Sequence, residues 1–171
     1  MKLSIYIATS ANGLISNSRN VPDWLSPEYG QGFASICQET KAVIMGKTTY
    51  NILAPDYLPL NKEGTTLVLT KDEQSTSNNP TVVFTKDKVS EIVTMLEKKG
   101  HTEAVIIGGT LTISEFMKAG LVTDLYLVVE PVLFGAGLPL MKGITAEFKL
   151  KLADVKPLNE NTVLLHYEIM K

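Results

Sequence analysis

Apolar positions in this chain fall into short dense blocks separated by polar turns, and the spacing within each block predicts its element. Leu3 to Ala8 is nearly continuous in apolar residues and predicts an opening strand. Thr9-Ser10-Ala11-Asn12-Gly13 is turn chemistry, followed by Leu14-Ile15 and a polar loop to Asp23. Ser26-Pro27-Glu28 reads as a helix start, with a hydroxyl cap, proline in the first turn and an acid behind it. That helix is expected to run to about Glu39. Gly30 and Gly32 weaken it by about 1 kcal/mol each relative to alanine, which suggests a mobile wall.

Further along, Ala42–Met45 predicts a strand, Thr48–Leu53 a short helix, and Thr65–Thr70 another strand after the Pro-containing loop Ala54–Gly64. Thr81–Thr85 is a short strand. Val89, Ile92, Val93 and Leu96 repeat at helical spacing between Asp87 and Lys99, closed by Gly100. Strand Ala104–Ile107, helix Leu111–Ala119 and strand Asp124–Val129 follow. Two alternating runs between Phe148 and Ile169 flank Lys156-Pro157-Leu158-Asn159-Glu160-Asn161 and predict a closing hairpin. Strands alternating with helices imply an α/β fold and a largely parallel sheet, with an antiparallel edge from the hairpin. At 171 residues the whole chain, 1–171, is expected to form one domain.

Three strand ends carry the candidate chemistry. Val43-Ile44-Met45-Gly46-Lys47-Thr48-Thr49-Tyr50, Thr66-Leu67-Val68-Leu69-Thr70-Lys71 and Val105-Ile106-Ile107-Gly108-Gly109-Thr110 each turn from a buried apolar strand to small, hydroxyl or basic residues. Ligands of open α/β sheets bind at the carboxyl ends of the strands, and helix N-termini attract anions. Three such ends together point to a long phosphorylated ligand, a nucleotide cofactor. Gly108-Gly109 would let the backbone approach that ligand closely. Lys47 and Lys71 each follow a strand end, where a cation would hold the extra ribose phosphate that separates NADP from NAD. Neither G-x-G-x-x-G nor a Walker A sequence is present. Gly135 and Gly137 suit a second tight loop.

Composition narrows the partners. The net charge of −2 offers no field for nucleic acid or anionic membranes, and no apolar run approaches the ~20 residues of a membrane span. The lone Cys37 excludes an internal disulfide and makes no metal site, so a buried core thiol in a cytoplasmic protein is expected. His101 and His166 have no organised partner in the sequence.

These strings, together with Ser10-Ala11-Asn12-Gly13-Leu14-Ile15, Asp124-Leu125-Tyr126-Leu127 and Pro131 to Gly137, occur in an order that resembles the dihydrofolate reductase superfamily. Within it the chain is most similar to the reductase domain of riboflavin biosynthesis and its stand-alone relatives. The resemblance implies an eight-stranded mixed sheet, mostly parallel, with flanking helices and NADPH across the strand ends. It places Ala8 and Ile15 at the nicotinamide end, Gly46, Lys47, Thr48, Thr70 and Lys71 on the adenosine phosphates, and Gly108, Gly109 and Thr110 on the pyrophosphate. It also implies a homodimer.

The substrate half departs from both relatives. Dihydrofolate reductases carry a carboxylate on the first helix, and matching Pro27 puts Tyr29 at that position. Glu28 is one residue away, a rotation of ~100°, and Asp23 precedes the helix. These two are the candidate proton donors. Trp24, Tyr29 and Tyr50 are the candidate walls of a planar-substrate pocket. Arg19 is the only arginine, which argues against a sugar-phosphate substrate. The expected activity is hydride transfer from NADPH to a C=N or C=O bond of a small heterocycle. A cofactor-binding sensor without turnover is the alternative.

Overall fold

The computed structural model describes residues 1–54 and 57–170. Pro55 and Asp56 of the predicted loop, and Lys171, lie outside them. The elements in chain order are β1 (Lys2–Ser10), β2 (Leu14–Asn17), α1 (Pro27–Thr40), β3 (Ala42–Gly46), α2 (Lys47–Leu53), β4 (Thr65–Leu69) and β5 (Val82–Thr85). They continue with α3 (Val89–Lys98), β6 (Glu103–Ile106), α4 (Thr110–Lys118), β7 (Asp124–Glu130), β8 (Gly137–Pro139), β9 (Leu150–Pro157) and β10 (Val163–Ile169).

Eight strands form one sheet in the order β5-β4-β3-β6-β1-β7-β10-β9. Pairing is parallel from β5 to β7 and antiparallel where β10 joins β7 and β9. This is the expected mixed, mostly parallel α/β sheet with its C-terminal hairpin. The central strands are mostly apolar because helices cover both faces. One face buries Leu3, Ile5, Ile44, Leu67 and Ile106 against Ile92, Leu96, Ile113 and Phe116 of α3 and α4. The other buries Tyr6, Ala8, Val43, Met45 and Val105 against Tyr29 and Cys37 of α1. Burial pushes the Cys37 thiol up to about 12.

Local chemistry explains the helix ends. Ser26 caps α1, its Oγ accepting the Tyr29 N–H at 3.2 Å, and Pro27 occupies the first turn. In α3 the Glu91 carboxylate accepts the Lys88 N–H at 3.0 Å, and Gly100 follows with φ +86°. Two features differ from expectation. The Gly135–Gly137 segment, expected as a loop, runs into β8, which starts at Gly137 and pairs with β2 in a separate two-stranded sheet. And Gly32 does more than loosen α1: a Cβ there would lie 2.3 Å from Tyr6 Oη, so the glycine seats the tyrosine.

At the hairpin end the two faces of the sheet differ in kind. Leu127 faces Leu165, which faces Val155; Leu125 faces Tyr167, which faces Leu152. The opposite face aligns Tyr126, His166 and Asp154, and Asp124, Glu168 and Lys151. Strand alternation thus places the charged residues on one side, along with Tyr126, Val128 and Leu164, and leaves the other side uncharged at these positions. On the apolar side Leu125 is buried and Leu127 and Tyr167 pack against the core, while Leu152 and Val155 of β9 are 51% and 48% exposed.

Candidate functional site

The predicted cofactor residues converge at the carboxyl ends of β3, β4 and β6. The Gly46 N–H donates to the Gly108 carbonyl at 2.9 Å, joining the β3 and β6 ends. Bare backbone is required there. Gly108 has φ +127°, and a Cβ on it would meet Thr49 Oγ1 at 3.3 Å. A Cβ on Gly46 would meet Thr112 Oγ1 at 2.9 Å. Gly109 precedes α4 as its cap residue, so the first turn of that helix opens directly onto this floor.

Side chains frame the floor. Lys47 Nζ is bonded to the Asp72 carboxylate and to Ser75 Oγ at 2.7 Å. Asp72 is thereby lowered to about 2, chiefly by the Lys47 ammonium and then by the Gln74 N–H and the Ser75 hydroxyl. Thr70 lies just past β4 and Lys71 is exposed beside it. Thr48 is exposed, while Thr110 is buried and spends its hydroxyl on the Pro139 carbonyl at 2.6 Å. That bond ties α4 to β8. Ala8 is buried in β1, and Ile15 is half-buried in β2.

A cleft of about 410 Å³ opens at the C-terminal end of β7, lined by residues 23–26, 130–131 and 159–162. Trp24 and Asp23 lie on its wall. Trp24 packs edge-on against Phe134 at 5.1 Å, and Asp23 pairs with Arg19 at 2.8 Å. Glu28 is at the surface, bonded by Asn159 Nδ2 at 2.9 Å. That bond, with the residue's own backbone N–H, lowers its carboxyl below the ordinary range. Tyr29 and Tyr50 sit elsewhere. Tyr29 stacks on Tyr6 at 5.4 Å within the core, and burial raises its phenol far above the ordinary value. Tyr50 packs edge-on to Phe84 at 5.0 Å. Neither ring is among the residues lining the cleft.

Glu130 is the residue that sequence reasoning missed. It is 1% exposed at the end of β7 and lines the cleft. Its Oε1 accepts from the Ser26 N–H at 3.0 Å and the Ser26 hydroxyl at 2.7 Å, and its Oε2 accepts from Thr162 Oγ1 at 3.0 Å. Ser26 also caps α1, so the positive end of the helix dipole faces this carboxylate. The available signal was an acid closing the run Asp124-Leu125-Tyr126-Leu127-Val128-Val129-Glu130, directly before Pro131. His166, by contrast, bonds Asp124 at 2.8 Å at the far end of the same strand.

The model of the RibD C-terminal domain matches residues 1–164. The chain belongs to the RibD C-terminal domain family. It is 30% identical to the uncharacterized protein YwjB of Bacillus subtilis (strain 168), over 97% of each chain. A 'putative riboflavin biosynthesis protein' from Shewanella sp. PV-4 superposes with a TM-score of 0.84 at 22% identity, over 100% of both chains. Dihydrofolate reductase from Enterococcus faecalis, solved with NADP(H) and RAB-propyl, superposes at 0.74 and 19% identity, over 99% of this chain and 97% of that one. This chain therefore shares with dihydrofolate reductase the sheet described above. Among the described residues, no helix is long and apolar enough to cross a membrane.

Proposed function

We propose that this chain is an NADPH-dependent oxidoreductase that reduces a C=N or C=O bond of a small planar heterocycle. One observation carries the reading: the β3 and β6 ends are joined through Gly46 and Gly108 into a bare backbone floor beside Lys47. Thr112 and Thr49 fill the space a Cβ would take on Gly46 and Gly108, so these strand ends pack closely, and the first turn of α4 beside them offers backbone N–H groups to a phosphate. The pyrophosphate would rest against Gly108, Gly109 and Thr110. Gly46, Thr48 and Thr70 would border the adenosine phosphates, with Lys47 and Lys71 as charge-assisted donors to the ribose phosphate. Ala8 and Ile15 would border the nicotinamide. Bound NADPH would supply the hydride, so the protein's tasks are orientation and exclusion of water.

Asp23 is the better placed of the two candidate proton donors, because it lines the cleft. Glu28 stands behind Asn159 with a lowered pKa, which makes it a poor acid at neutral pH. Tyr29 supports a second reading, a cofactor sensor without turnover, since matching Pro27 to the first helix of dihydrofolate reductases puts a buried tyrosine at the position of their acid. The two separate in an NADPH-oxidation screen with dihydrofolate, dihydropterins, riboflavin-pathway pyrimidines and simple quinoid compounds. Oxidation with any of them supports the reductase. Tight NADPH binding with no oxidation supports the sensor.

The assembly we propose is a cytoplasmic homodimer formed through the apolar side of β7, β10 and β9. A sheet face that carries Leu127, Leu165, Tyr167, Leu152 and Val155 while its reverse carries charge is built to be covered.

A further inference from the structure

Glu130 is a buried carboxyl group without an ion-pair partner. Among the described residues no lysine, arginine or histidine lies within ion-pair distance of it. Desolvating a carboxylate is costly, and natural proteins offset that cost with a paired cation or a full set of donors. Here three donors are present, and a carboxylate offers about four acceptor positions. Ser26 fills two of them on Oε1 and Thr162 fills one on Oε2, which leaves one acceptor position by count. The donors come from the α1 cap and the β9–β10 turn, which between them fix the carboxylate on the cleft wall.

The rest of the lining has the same sign. Asp23 and Glu160 also border the cleft and no lysine or arginine does. Arg19, the chain's only arginine, is engaged by Asp23. A phosphate entering here would meet carboxylates and no free cation. Trp24, Leu25 and Pro131 add apolar surface to this open depression.

We infer that Glu130 anchors the substrate, and that the cleft selects an unphosphorylated planar ring presenting a cationic or multiply N–H-donating edge, such as an amidinium or a protonated amino-heterocycle. This rests on the proposed reductase reading and names the substrate class for it. Glu130 then acts by binding and orientation: the substrate's N–H completes the fourth acceptor position and its charge supplies the missing countercharge. Phosphorylated substrates are excluded by the same charges.

Benzamidine, benzamide and benzoate test this directly, being nearly the same size and differing in charge. Their binding to the full-length protein, with and without NADPH, is followed by NMR titration at pH 7, with phenyl phosphate as a fourth probe. The expected result is that benzamidine binds at least about tenfold tighter than benzamide, the weight of one charge-assisted hydrogen bond, with benzoate and phenyl phosphate weaker still. Glu130→Gln, which keeps the shape, should bring benzamidine to within about threefold of benzamide. Equal binding of the charged and neutral probes by the unmodified protein, tighter phenyl phosphate, or a preference that survives Glu130→Gln would overturn the inference. The probe series on the unmodified protein decides the charge rule even if Glu130→Gln fails to fold. NADPH binding reports on the reductase reading separately: its absence with the benzamidine preference intact faults that reading and leaves the cleft assignment standing.

Discussion

The Gly46 amide donates to the Gly108 carbonyl across 2.9 Å, so two strands far apart in sequence end as one surface. Glycine is needed on the Gly108 side because its φ of +127° is a region that side chains rarely occupy. Gly108→Ala should therefore lower stability by about 1–3 kcal/mol and disturb the floor. Thermal unfolding reads the first effect. Titration of the folded variant reads the second, with NADPH binding at least about tenfold weaker. Unchanged cofactor affinity would remove this surface from the cofactor site.

Lys47 is held by Asp72 and Ser75 in the structure, and a ribose phosphate would compete with that carboxylate. Lys47→Ala should weaken NADPH more than NADH, and Asp72→Asn should tighten NADPH selectively. The Asp72 carboxyl is depressed from 3.8 to about 2, so the pair's contribution is present above pH 3.8 and is lost as pH falls through 2. Equal changes for both cofactors in calorimetry would show that Lys47 does not read the extra phosphate.

Two glycines of α1 separate packing from flexibility. A methyl group on Gly32 would sit 2.3 Å from Tyr6 Oη, whereas nothing lies within 4 Å of one on Gly30. Gly32→Ala should cost about 1–3 kcal/mol by overpacking. Gly30→Ala should stabilise by up to about 1 kcal/mol through helix propensity. Melting curves of the two variants should move in opposite directions.

The apolar side of the hairpin sheet makes a further demand. Leu152 is 51% exposed and stands opposite Tyr167. Leu152→Glu should shift the protein from dimer to monomer in sedimentation without unfolding it. An unmodified protein that stays monomeric at high concentration would end the dimer proposal.

What was legible in the sequence was what depends on near neighbours. Ser26-Pro27-Glu28 announced α1 because cap, proline and acid act within one turn, and Gly108-Gly109 announced a strand end because glycine marks close backbone approach. Pairings between distant segments were not legible. Glu130 takes its meaning from Ser26 and Thr162, which lie 104 and 32 residues away. The β2–β8 ribbon was hidden because Gly137 has no strand propensity of its own; it is there because a Cβ would lie 1.9 Å from the Ser16 carbonyl oxygen. Tyr29 was correctly placed on α1, but a helical pattern alone did not say that its ring stacks on Tyr6.

The central claim is that the strand-end floor binds NADPH and reads its extra phosphate. Calorimetric titration of the unmodified protein with NADPH and with NADH tests it most directly. The account predicts saturable one-site binding of NADPH, at least about tenfold tighter than NADH, as one charge-assisted phosphate contact would give. Binding of neither cofactor, or equal affinity for both, would contradict it.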